Sequence, residues 1–130
     1  MTATATGPFD VKMTPQPGAT DAVGRFSLDK AYHGDLEATA AGEMIAVGTA
    51  EKGSAGYVAL EKVTGTLAGR TGTFALQHWG LMDKGTPELK IVVVPDSGTD
   101  GLVGLTGTMT IDVQPGGKHF YTFTYALPAH

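Results

Sequence analysis

The sequence predicts an all-β fold, a single closed antiparallel β-barrel of about eight strands. Three observations predict it. Apolar and polar residues alternate with period two through most of the 130 residues, the mark of strands with two distinct faces. Turns rich in Gly, Pro and Asp interrupt those runs at roughly ten- to fifteen-residue spacing, as hairpin-linked strands require. The runs are also long: at about 3.3 Å per residue a ten-residue strand spans about 33 Å, enough for the tilt that closure demands. Closure hides the edges that such Thr- and Val-rich segments would otherwise expose. A two-sheet sandwich is the alternative.

Residues 1–6 are expected to be a flexible tail. From Thr4 to Thr14, Phe9, Val11 and Met13 alternate with Asp10 and Lys12, until Pro15-Gln16-Pro17-Gly18 ends the run because proline fixes φ and cannot donate to a ladder. From Arg25 to His33, Phe26, Leu28, Lys30 and Tyr32 share one face, and Gly34-Asp35 is a turn. Leu36 to Val47 is ambiguous. Leu36, Ala40, Met44 and Val47 have helical spacing, and Ala, Glu and Met favour helices. Thr39, Gly42 and a face of small residues favour a strand, which is the reading adopted.

After a loop at Gly48–Ala55 comes a hairpin. Tyr57, Ala59, Glu61 and Val63 lie on one face of its first strand, with Val58, Leu60, Lys62 and Thr64 on the other. Beyond the Ala68-Gly69 turn, Phe74, Leu76, His78 and Met82 share a face opposed to Gln77, Trp79 and Leu81. Asp83 to Pro87 turns the chain into Glu88–Val94, whose β-branched end reads as a strand covered on both faces. Pro95 to Gly101 is an ordered loop. Thr106–Val113 and Lys118–Leu127 are the last strands, the final one presenting Tyr121, Phe123 and Tyr125 together. Glycines within strands, at 65, 72, 80 and 107, suit the bends of a small barrel.

Composition removes several functions. The net charge is −4 and the nine basic residues are scattered, so no nucleic-acid partner is expected. No apolar run is long enough to cross a bilayer as a helix, and no membrane partner is expected. Cysteine is absent, which rules out disulfides and thiolate chemistry. The start MTATATGPF has neither the basic nor the apolar region of a signal peptide; with the missing cysteines, a cytoplasmic location is expected. His33, His119 and His130 lack metal-site spacing, so no metal or cofactor is expected. Gly98–Gly104 lacks the setting of a phosphate loop, and there is no Gly-x-Ser-x-Gly elbow.

Gly42-Glu43-Met44, the run Gly53 to Glu61, Gly69 to Phe74, Gln77-His78, Val93-Val94-Pro95, Ser97-Gly98-Thr99 and Gly104 to Gly107 together resemble a bacterial family of uncharacterised single-domain proteins. The resemblance covers about Phe9 to Leu127. It implies a barrel similar to allene oxide cyclase, of the same general form as a lipocalin. It implies no reaction, because the wider fold includes cyclases, dirigent-like proteins and binding barrels, and one fold hosts many functions.

Glu61 and His78 are the first candidates for chemistry. Facing inward on neighbouring strands, a carboxylate and an imidazole could form an acid–base pair titrating near neutrality, or a structural pair that satisfies itself. A one-residue slip would replace His78 by Gln77 and Trp79. Lys30, beside Tyr32, could hold an anionic head group, pair with a buried Glu or extend its ammonium to the rim. Glu43 could be a lumen acid partnering Lys30 or Arg70, or a solvated surface acid. Tyr57, Phe74, Trp79, Tyr121, Phe123 and Tyr125 could line an apolar cavity or fill it. The expected function is a barrel that holds a small apolar or amphipathic molecule, with Glu61, His78, Lys30, Tyr32, Glu43, Tyr57, Phe74, Gln77 and Trp79 as the site. A cyclase or isomerase using Glu61 and His78, and a filled structural barrel whose outer aromatics serve self-association into a homo-oligomer or a protein partner, are the alternatives.

Overall fold

Eight strands follow one another in a computed structural model of the chain, which describes residues 2–18 and 23–129. They are β1 (Ala3–Gln16), β2 (Gly24–Tyr32), β3 (Leu36–Gly48), β4 (Ala55–Leu67), β5 (Arg70–Asp83), β6 (Thr86–Val93), β7 (Thr106–Val113) and β8 (His119–Ala126). Each pairs antiparallel with its sequence neighbour, and β8 returns to pair with β1, so the sheet closes on itself. The all-β barrel predicted from period-two alternation is the fold. His130 lies outside the described residues.

Two local expectations change. Residues 3–6 are not a tail: Ala3 pairs with Tyr125 and Ala5 with Phe123, and Ala5 is buried, so burial and ladder bonds hold the segment in place. The β6 strand is covered on both faces only at its end. Ile91 and Val93 are buried, whereas Thr86 to Lys90 are exposed. The reason is the short seam to β7, which consists of two register pairs, Ile91 with Met109 and Val92 with Thr108. The ambiguous third segment is a strand because its small residues serve a purpose: Ala38, Ala40 and Gly42 face inward between β2 and β4, where larger side chains from those strands need room.

The barrel is filled unevenly. At one end, Tyr32, Leu36, Val63, Leu67, Phe74, Leu76, Tyr121, Phe123 and Tyr125 form a continuous core. Phe74 stacks on Phe123 with ring centroids 5.9 Å apart, and Tyr32 meets Tyr121 edge to face at 5.6 Å. The long β6–β7 connection, expected as an ordered loop, closes this end with Leu102 and Leu105, both buried. Its single 3-10 turn spans Asp100–Leu102. Hydrogen bonds from Thr99 N to Thr73 O (2.8 Å) and from Ala75 N to Ser97 Oγ (3.0 Å) fasten it to β5.

The other end is open. Met13, Met82, Leu89 and Val113 have the parity of inward positions, yet each is at least two-fifths exposed. Among the described residues, none from a loop packs over them as Leu102 and Leu105 do at the closed end.

Tyr121 fastens β8 to the β2–β3 turn. Its hydroxyl accepts from Leu36 N at 2.9 Å and donates to His33 O at 2.7 Å. Tyr121→Phe would strand a buried backbone N–H, so urea unfolding should show a loss of about 1–3 kcal/mol; an unchanged midpoint would contradict this role.

Candidate functional site

The polar content of the core gathers at Glu61. Its side chain is fully buried on β4, opposite Gly42 on β3 and Leu76 on β5. A Cβ on residue 42 would stand 2.9 Å from Glu61 Cβ and 2.0 Å from Leu60 O; glycine there admits the carboxylate. Over the small inward residues of β3, two side chains of β2 reach across to it. Lys30 Nζ donates to Oε2 at 2.7 Å, and the Tyr32 hydroxyl donates to Oε1. From β5, His78 Nε2 approaches Oε2 at 2.7 Å, an ion-pair distance, although Nε2 forms no hydrogen bond of acceptable angle.

The electrostatics follow from this crowding. Burial pushes the Glu61 carboxyl up, but contact with His78 and the charge of Lys30 outweigh it and hold the pKa down at about 2. The Tyr32 phenol is driven far above its ordinary value by burial and by the adjacent Glu61 charge, so it remains a hydrogen-bond donor. A buried carboxylate with an ammonium and a phenol within reach is a satisfied unit.

The sequence candidates divide by face. Glu61, His78, Lys30 and Tyr32 come together in the lumen. Lys30 does not extend to the rim, because Glu61 supplies its counter-charge; its side chain is 7% exposed. Phe74 is part of the filled core, stacked on Phe123. Three expected lumen residues are corrected. Glu43 is an exposed outer residue that pairs with Arg25, not with Lys30 or Arg70. Gln77 and Trp79 have the opposite parity to His78 and lie on the outer wall, in a shallow depression with Ile45, Val58 and Leu60.

Tyr57 belongs to neither group. It lies at the open end, half-buried, its ring flat against β5 where residue 80 is glycine; a Cβ there would come within 2.3 Å of the ring. Burial and the Glu61 charge raise the pKa of its phenol. Tyr57 lines a pocket of about 360 Å3 together with Met44, Ala46, Met82, Pro87 and Leu89. Sequence reasoning named Tyr57 but missed Met44, Met82 and Leu89. Their signal was inward parity near strand ends remote from the long β6–β7 connection.

Among the described residues no group of three or more His, Asp or Glu could hold a metal ion, and no helix is long and apolar enough to cross a membrane.

Glu61→Gln leaves Lys30 buried without its counter-charge and should cost about 3–5 kcal/mol. Adding Lys30→Met removes that orphaned ammonium, so the double variant should be more stable than Glu61→Gln alone; a fully additive loss in denaturant unfolding would refute the coupling. The pH dependence has a definite sign. A carboxyl with an unperturbed pKa of 4.5 and a folded value of about 2 contributes stability fully present above about pH 4.5. That contribution is lost as pH falls towards 2, and amounts to about 3 kcal/mol. Thermal melts between pH 6 and 2 should therefore show an acid-side loss that Glu61→Gln largely removes.

A family model described as a protein of unknown function, DUF3224, matches residues 5–125. No curated protein matches the chain. The crystal structure of a protein of unknown function from the DUF3224 family of Shewanella oneidensis MR-1 is 47% identical, covers 100% of both chains and superposes with a TM-score of 0.94. The chain belongs to the DUF3224 family.

Proposed function

We propose that this protein binds a small apolar molecule at the open end of its barrel. The reading rests on the uneven filling of the lumen. One half is packed and plugged, while the other leaves Met44, Met82, Pro87 and Leu89 around a pocket of about 360 Å3, within the usual range for small-ligand sites. Apolar side chains left in water at inward positions are costly unless something covers them. The short β6–β7 seam widens the same end, since Thr86 to Lys90 have no ladder partner on the β7 side.

An acid–base role for Glu61 and His78 has less behind it. Glu61 is held ionised far below neutrality by its neighbours, whereas a general acid or base works best with a pKa near the working pH. The Glu61 carboxylate has its partners within the barrel, in Lys30 and Tyr32. A second reading, pairing of two copies through the outer wall, is favoured by one observation: Ile45, Val58, Leu60 and Leu81 sit about half-exposed on adjacent strands.

Titration with the neutral dye N-phenyl-1-naphthylamine tests the first reading. Fluorescence enhancement should saturate at one site per chain. Met82→Trp, at a position 41% exposed and so tolerant of a larger side chain, should weaken binding at least tenfold by filling the pocket. Equal dye binding by both proteins would remove the pocket from consideration. For the second reading, sedimentation should show dimers that Leu60→Lys abolishes; a monomer at every concentration would reject it.

A further inference from the structure

The chemistry around the open-end pocket narrows what it can hold. Its lining is almost wholly apolar. Among the described residues lining it, two have polar side chains, Tyr57 and Glu88. Glu88 is exposed and, paired in register with Leu81, has the outward parity of the barrel wall. The contacts to Glu61 come from Lys30, Tyr32 and His78; Tyr57 is not among them. Among the described residues no side-chain hydrogen bond engages the Tyr57 hydroxyl, and its ring packs closely against Gly80 of β5.

We propose that the pocket selects neutral molecules bearing one oxygen acceptor, such as a ketone, ester or ether, on an apolar body, and rejects carboxylates. This rests on the binding reading above. Three observations carry it. The Tyr57 O–H is a donor suited to a carbonyl or ether oxygen. Apolar walls fit the body of the guest and leave no second polar group to satisfy. The described residues lining the pocket include no Lys, Arg or His, so a carboxylate entering it would lose its hydration and gain no counter-charge. Lys30 offers no compensation, because its ammonium is bonded to Glu61.

A matched series of probes of similar size decides the matter: ethylbenzene, acetophenone and benzoate, titrated into the full chain and followed by 1H–15N chemical shifts. Acetophenone should bind about three- to tenfold more tightly than ethylbenzene, the worth of one hydrogen bond, and benzoate should produce no saturable shift. Tyr57→Phe, which preserves the ring and its packing, should bring acetophenone down to the level of ethylbenzene and leave ethylbenzene unchanged. If all three probes bind equally, or if Tyr57→Phe keeps the acetophenone advantage, the selectivity is wrong while the pocket stands. If benzoate binds best, the sign of the electrostatic argument is wrong. Failure of every probe would overturn the pocket and the selectivity together.

Discussion

A carboxylate with no exposed side-chain surface is the constraint on which this barrel turns. An ionised Glu61 cannot remain in a hydrocarbon interior alone, so the strands on either side must bring it partners, and each partner dictates something about the wall. Lys30 and Tyr32 can arrive from β2 only if β3 between them is thin, which explains the run of alanines and the glycine on its inner face. His78 arrives from β5 on the diagonal, since it pairs in register with Ala59 while Leu76 stands opposite Glu61. A one-residue shift of β2 would turn Lys30 and Tyr32 outward and leave Glu61 without them, and the same shift of β4 would turn Glu61 outward and strand Lys30. The cluster therefore specifies register as much as it stabilises.

That cluster also marks where the interior changes character. On one side of it the aromatic side chains of β5 and β8 interlock and the β6–β7 connection adds two leucines as a stopper. On the other side the same inward parity yields Met13, Met44, Tyr57, Met82, Leu89 and Val113, and among the described residues no loop packs over them. The difference comes from the connections. The closed end has one twelve-residue excursion, from Val94 to Leu105, that is long enough to fold back over the barrel. The described turns at the open end, such as Lys84-Gly85, are too short to do so.

Parity was readable from the residues and distance was not. Alternation put Glu61 and His78 on the inner face and Gln77 and Trp79 on the outer one, and the fold has them so. Treating Gln77, Trp79 and Glu43 as lumen residues set that alternation aside: Glu43 follows Gly42, which pairs with Glu61, and so must point away. The union of Lys30 and Tyr32 with Glu61 spans two strand boundaries and depends on the volume left above β3. No local pattern encodes that. The open mouth was hidden for a related reason, since an inward methionine reads the same whether or not something packs against it.

The two-rung seam between β6 and β7 has a consequence for motion. Elsewhere the cylinder is stitched by seven or more register pairs per boundary, so separating neighbouring strands there means dismantling the core. At this one join the far half of β6 hangs from β5 alone and can swing without disturbing any buried aromatic ring. Sub-global opening of that flap would cost less than global unfolding, so the far half of β6 is the part of the wall that is cheapest to displace.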